Sequence, residues 1–201
     1  MPNTPLPSRA DALQILHEFT ASESLHKHML AVEAAMRAYA ESFGEDVERW
    51  GLTGLMHDFD YERYPNAAHA PDAEHPAEGV RILRARGWPE DVLEAILGHA
   101  TYSGVPRVSR MARTLFAVDE LTGLITATAL VRPSKSLHEV DADSVLKKMK
   151  KKEFARGVNR DDVINGAADL GVQLPDHIQF VIDAMRRSAV ALGLDGAPVG
   201  A

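Results

Sequence analysis

Two metal-binding side chains stand next to each other at His57-Asp58, at the end of the apolar stretch Trp50-Gly51-Leu52-Thr53-Gly54-Leu55-Met56. An ordinary helical core carries neither an imidazole nor a carboxylate there, and the two can reach one divalent cation if other helices supply the remaining ligands. Candidates stand on other apolar stripes. His28 follows Leu25 by three and precedes Val32 by four, which puts it on the inward face of its helix, whereas His26 points elsewhere. Asp119 shares a stripe with Val108, Ala112 and Leu115, His99 extends Val92 and Ile96, and His75 lies one turn before Gly79 and two before Ile82. A carboxylate on a core stripe must be paired, protonated or cation-bound, because an isolated buried charge is costly. A lone histidine on an apolar face is more often a hydrogen-bonded core residue. The recurrence of such residues on separate helical segments, each near an inward face, is what points to a metal site.

The elements that must position these residues are helices. Apolar residues recur at intervals of three and four over about 9–19, 24–43, 45–60, 76–87, 89–100 and 108–128. Gly44 and Gly87 suit helix ends, and Pro76 and Pro89 suit first turns, where a missing N–H costs nothing. Period-two alternation is hard to find. The polar, proline-containing stretch from about 60 to 75 is longer than most connections in a compact bundle, and loops of that length are often functional. Beyond 130 come a turn at Arg132-Pro133-Ser134-Lys135, the basic run Lys147–Lys152, and helices expected over 160–170 and 175–192. The expected organisation is an N-terminal helix over 1–20 packing on the bundle, a metal-binding core over 20–130, a C-terminal helical extension of the same domain over 131–192, and a flexible tail over 193–201.

Composition narrows the chemistry. With 201 residues, 45% of them hydrophobic, the chain can bury one sizeable core. Its 29 acidic against 22 basic residues leave a net charge of -7, which disfavours nonspecific attraction to nucleic acid or an anionic membrane. The lysine run, without interleaved aromatics, reads as a solvated helix face. No cysteine is present, so zinc-thiolate sites, disulfides and thiol nucleophiles drop out, and any metal must be held by nitrogen and oxygen. The N-terminus lacks the features of a secretory signal and no apolar run reaches membrane-spanning length, so a cytoplasmic protein is expected.

The order of His28, the pair His57-Asp58 and the distant Asp119 resembles the HD superfamily of metal-dependent phosphohydrolases, whose motif is a histidine, a His-Asp pair and a later aspartate on a helical bundle. The resemblance spans about 20–130. The stretch beyond is similar to an uncharacterised branch of predicted HD hydrolases and brings no substrate with it. What the resemblance implies is an all-α, HD-domain-like helical bundle with a C-terminal helical extension. It further implies that His75 and His99 are either ligands of a second ion, with Asp58 bridging and His28, His57 and Asp119 on the first, or groups that bind substrate phosphate beside one ion. One departure stands out. Family members often follow the pair with a small apolar residue, glycine and lysine, and here Phe59-Asp60-Tyr61-Glu62 follows. Either the substrate differs, or the phosphate-binding role passes to Arg132, Lys135 or Arg63, since a guanidinium can grip a phosphate in two places. Asp60 is an acceptor candidate for a ligand imidazole. His17, His26, His69, His138 and His177 lack comparable support, although His69 lies in the long loop.

Such a ligand set suits one or two divalent transition-metal ions, Mn, Fe, Co, Ni or Zn. A cation so held lowers the pKa of bound water and polarises a phosphoryl oxygen, with Asp58 as the catalytic carboxylate that orients or helps deprotonate the water. The expected function is hydrolysis of a nucleotide or other small phosphate ester, as a phosphomonoesterase or phosphodiesterase. A di-iron oxygenase and a nonenzymatic nucleotide-sensing module are the alternatives. Nothing in the sequence speaks to oligomeric state.

Overall fold

The structure, a computed structural model, describes residues 6–196. It is all-α, with no strand among the described residues. The helices are α1 (Arg9–Phe19), α2 (Glu23–Phe43), α3 (Val47–Met56), α4 (Ala77–Ala85), α5 (Glu90–His99), α6 (Arg110–Leu130), α7 (Ala142–Met149), α8 (Arg160–Leu170), α9 (Leu174–Arg186) and α10 (Ala189–Leu192). None is long and apolar enough to cross a membrane. The chain packs as two compact units, Met1–Phe116 and Ala117–Ala201, with the division falling inside α6.

In the first unit α3 packs against α2, α1 and α5, and α4 against α5. The core is built from Leu16, Met29, Val32, Met36, Leu52, Leu55, Met56, Leu83, Leu93 and Ile96, all buried. Each such side chain contributes about 1.5–3 kcal/mol on leaving water. Two glycines set how closely α3 lies on α2. A Cβ on Gly51 would come within 2.5 Å of the Arg37 side chain, and one on Gly54 within 3.0 Å of the Val32 carbonyl oxygen. The start of α2 is capped by Ser22, whose Oγ accepts from the Leu25 N–H, and its end, where the sequence suggested it, by Gly44 in the left-handed conformation.

In the second unit α7 and α8 pack on α9 around Val145, Val163, Ile178, Val181, Ile182 and Met185. Gly166 meets Ala117 so closely that a Cβ would lie 2.5 Å from its Cα. Four features differ from the sequence reading. The helix expected over 45–60 ends at Met56 and continues as turns. The one expected over 175–192 is broken between Arg186 and Ala189 into α9 and α10. The lysine run, read as a solvated helix face, is helical only to Met149, where α7 ends; the start of α7 carries a signal not read beforehand, the capping box in which the Asp141 side chain accepts from Ser144 N–H. The expected tail is packed as far as it is described. Leu194 is buried, its carbonyl accepts from Leu137 N–H at 2.8 Å, and the Asp195 carbonyl accepts from Ser136 Oγ. Residues 197–201 lie outside the described residues.

Candidate metal centre

His28 sits on the first turns of α2, half-buried, and His57 is the residue that ends α3, fully buried. The close α2–α3 approach at Gly54 brings the two rings edge to face, with centroids 5.1 Å apart. The chain after the pair is pinned from below. Phe59 is fully buried with its ring 5.2 Å from that of Phe19, and Thr20 Oγ1 donates to the Phe59 carbonyl at 2.7 Å. The departure from the small residue common at that place is thus a hydrophobic anchor for the turn that presents Asp58.

Asp58 is the meeting point of four imidazoles. Its Oδ2 lies 3.6 Å from His28 Nε2 and 3.5 Å from His57 Nε2. Its Oδ1 lies 3.4 Å from His75 Nε2 and 3.4 Å from His99 Nε2, and those two nitrogens are 3.3 Å apart. His28, His57 and Asp58 therefore form one group able to hold an ion, and Asp58, His75 and His99 another. Two ligand atoms, each about 2.1 Å from one cation at the tetrahedral angle, stand about 3.4 Å apart, so the spacing fits coordination.

The tautomers fit as well. His57 Nδ1 lies 2.8 Å from the Gly54 carbonyl, and His99 Nδ1 is hydrogen-bonded to the Ile96 carbonyl. A carbonyl only accepts, so in both rings Nδ1 carries a proton and Nε2 is the atom that faces Asp58. His75 Nδ1 lies 2.8 Å from Asp60 Oδ1. Asp60 is buried and its other oxygen accepts from the Gly79 N–H at 2.8 Å, which is why no side chain fits at Gly79. Burial pushes His75 down, but the hydrogen bond to Asp60 and the charges of Asp58 and Asp60 outweigh it and hold the ring above its usual range. The cluster opens to solvent on one side. The His28 and Asp58 side chains are 23% and 15% exposed, whereas His57, His75 and His99 are closed off.

His75 ends the long loop before α4, which starts at Ala77, next to the helix start expected at 76. Asn66 holds it there. This buried amide donates from Nδ2 to the carbonyls of Ala70, Ala73 and His75, at 2.8, 3.0 and 2.7 Å, and its Oδ1 accepts from Ala70 N–H. Tyr102 Oη donates to the same His75 carbonyl. Glu62 ties the loop to the start of α2 by accepting from the N–H groups of Ala21 and Ser22. None of these three was singled out beforehand; an asparagine in a polar loop is a familiar turn former, and only that weak signal marked Asn66.

The remaining candidates lie apart in sequence. Arg63 is exposed, with its guanidinium over the Phe19 ring at 4.3 Å and a hydrogen bond to the Glu18 carbonyl, so it would have to leave both to reach a phosphate. Asp119 is half-buried on α6, in the second unit. Arg132 and Lys135 are in the turn that follows α6 in that unit, half-buried and exposed respectively.

The profile of the HD domain matches residues 25–124. Neither the curated proteins nor the solved structures gave a match to the chain.

Proposed function

Since residues 25–124 of this chain are an HD domain, the mark of a superfamily of metal-dependent hydrolases, we propose that the chain hydrolyses a phosphate ester of a nucleotide or similarly small molecule. The observation that carries this reading is the placement of Asp58, with one carboxylate oxygen facing His28 and His57 and the other facing His75 and His99. Four imidazole nitrogens around one carboxylate favour two ions over one. His28, His57 and Asp58 would hold the first, joined by Asp119 on the order of the motif, and Asp58, His75 and His99 the second. A cation bound there lowers the pKa of its water and polarises a phosphoryl oxygen.

The chain's own groups do the rest. Asp58, the carboxylate on the open side of the cluster, would orient the attacking water by accepting a hydrogen bond from it. The backbone carbonyls of Gly54 and Ile96 and the Asp60 carboxylate keep the Nε2 atoms of His57, His99 and His75 aimed inward. Arg132, Lys135 and Arg63 are the proposed phosphate grips. Mixed nitrogen and oxygen ligation suits Mn, Fe, Co, Ni or Zn.

The test is elemental analysis of purified protein, followed by a phosphomonoesterase and phosphodiesterase screen with Mn²⁺, Ni²⁺, Co²⁺ and Fe²⁺. The wild type is expected to carry metal and turn over at least one phosphate ester, and the double variant His57→Ala, Asp58→Ala to do neither. Equal metal content in the two proteins would sink the reading. Oxygen consumption with iron, in place of ester hydrolysis, would move it to the oxygenase alternative.

A further inference from the structure

The last turn of α5 is closed by side chains. An α-helix leaves its final carbonyls without a partner in the ladder, and at the end of α5 three of them are taken in succession. Ile96 accepts from His99 Nδ1, Leu97 from Ser103 Oγ at 2.7 Å, and Gly98 from Arg107 Nη1 at 3.1 Å. Ser103 Oγ also accepts from the Val105 N–H at 3.2 Å, which ties the chain leading to Arg107 to the same helix end. The Arg107 guanidinium lies over the ring of buried Phe116, 3.7 Å from its centroid. Its stem passes so close to Gly98 that a Cβ there would come within 3.3 Å of Arg107 Cγ. Beyond the turn, Ala100 leaves the helix with an extended backbone, φ -89° and ψ 109°.

One of these carbonyls has a second task. The Ile96 carbonyl fixes the His99 ring through Nδ1 and so turns Nε2 towards Asp58 Oδ1, 3.4 Å away. His99 is the last residue of the helix, in the turn that opens first. If α5 ran on or frayed there, the Ile96 carbonyl would pass to the Ala100 N–H or to water, and the ring would lose its anchor. The guanidinium holds the turn against both, because its flat face rests on an aromatic ring while one N–H takes a carbonyl at the negative end of the helix. We propose that Arg107 is a positioning residue for His99, closing the end of α5 so that Nδ1 keeps the Ile96 carbonyl and Nε2 faces Asp58. The inference rests on the metal-centre reading above and adds the residue that aims one imidazole of the group Asp58, His75 and His99. His57 provides the reference: it makes the same bond to the carbonyl three residues back, at the end of α3, where the Thr20 bond to Phe59 pins the chain that follows.

The experiment uses full-length protein and two readouts. An imidazole N–H held in a buried hydrogen bond exchanges slowly with water, so NMR of the metal-free protein follows the Nδ1–H resonances of His57 and His99 at one pH. Arg107→Met keeps the stem beside Gly98 and removes the guanidinium. In this variant the His99 resonance is expected to be lost while that of His57 stays, and Mn²⁺ affinity, read by chelator competition, to fall by about tenfold. Arg107→Lys keeps the stem and the charge without the flat face, and is the variant read if Arg107→Met does not fold; the same two changes are expected in smaller degree. An unchanged His99 resonance in whichever variant folds, or loss of the His57 and His99 resonances together, overturns the proposal. Selective loss at His99 in a protein whose wild type binds no Mn²⁺ would end the metal-centre reading and leave the positioning role standing. Mn²⁺ bound alike by wild type and variants, with the His99 resonance unmoved, would do the reverse.

Discussion

Asp60 Oδ1 stands 2.8 Å from His75 Nδ1, so one buried carboxylate aims a ring whose other nitrogen faces Asp58. The second Asp60 oxygen accepts from Gly79 at the start of α4. An Asp60→Asn variant cannot serve both partners: its amide nitrogen would face either the His75 N–H or the Gly79 N–H, donor against donor. Metal affinity, read by competition with a chromogenic chelator, is expected to fall by about 10- to 100-fold, the usual effect of removing such an orienting group. Wild-type affinity in this variant would show that His75 needs no help in pointing.

Gly79→Ala attacks the same contact from the helix side. The new Cβ would lie 2.5 Å from the Asp60 carboxylate carbon, in a place sealed from water. Overpacking of that kind costs about 1–3 kcal/mol, more than the roughly 1 kcal/mol that alanine gains over glycine within a helix. Urea unfolding should show a lower midpoint, together with weaker metal binding.

Gly54→Ala tests the approach of α3 to α2. Its Cβ would meet the Val32 carbonyl oxygen at 3.0 Å and the Glu33 Cα at 3.1 Å, backbone atoms that cannot swing aside as the Met36 side chain can. The helices must part, which separates His57 from His28. Lower thermal stability and a reduced metal content by elemental analysis are expected together. Loss of neither would mean that the helix pair yields without moving its histidines.

Metal removal has its own signature. A cation that binds only the folded chain stabilises it by mass action, about 2.7 kcal/mol at a hundredfold excess over the dissociation constant. Dialysis against EDTA should therefore lower Tm in scanning calorimetry, and Mn²⁺ should restore it. In the His57→Ala, Asp58→Ala double variant the two scans should coincide.

His177 makes a separate prediction for the second unit. Burial pushes its imidazole below the ordinary value of 6.5, against the smaller opposite effect of its hydrogen bond to the Ala117 carbonyl at 3.0 Å. With the folded pKa depressed, the unfolded chain binds the extra proton first. The contribution to stability is complete above about pH 6.5 and is lost as pH falls below it towards the folded value. His177→Gln keeps a donor for Ala117 and removes the titration. Urea midpoints of metal-free protein at pH 7.5 and 5.5 should differ less in this variant than in the wild type.

How much of this was legible beforehand depended on the range of the interaction. Helix limits at Gly44, Gly87, Pro76 and Pro89 were readable because the causes are local: a left-handed backbone or a missing N–H acts within a turn. The misreadings at 45–60 and 175–192 have the opposite origin. Apolar spacing continues through Phe59 and through Ala189, but tertiary anchors, the Thr20 bond to the Phe59 carbonyl among them, bend the chain there.

By itself the sequence determined the chemistry available: with no cysteine, and with His28, His57, Asp58, His75 and His99 on or beside apolar stripes, only nitrogen and oxygen ligation was open. It could not say which oxygen of Asp58 faces which pair of rings, that Asp60 aims His75, or that Asn66 folds the loop back onto the His75 carbonyl. Those relations join segments many residues apart through hydrogen bonds that have no period and no local signal. Only the packing of α2, α3 and α5 brings their donors and acceptors within reach.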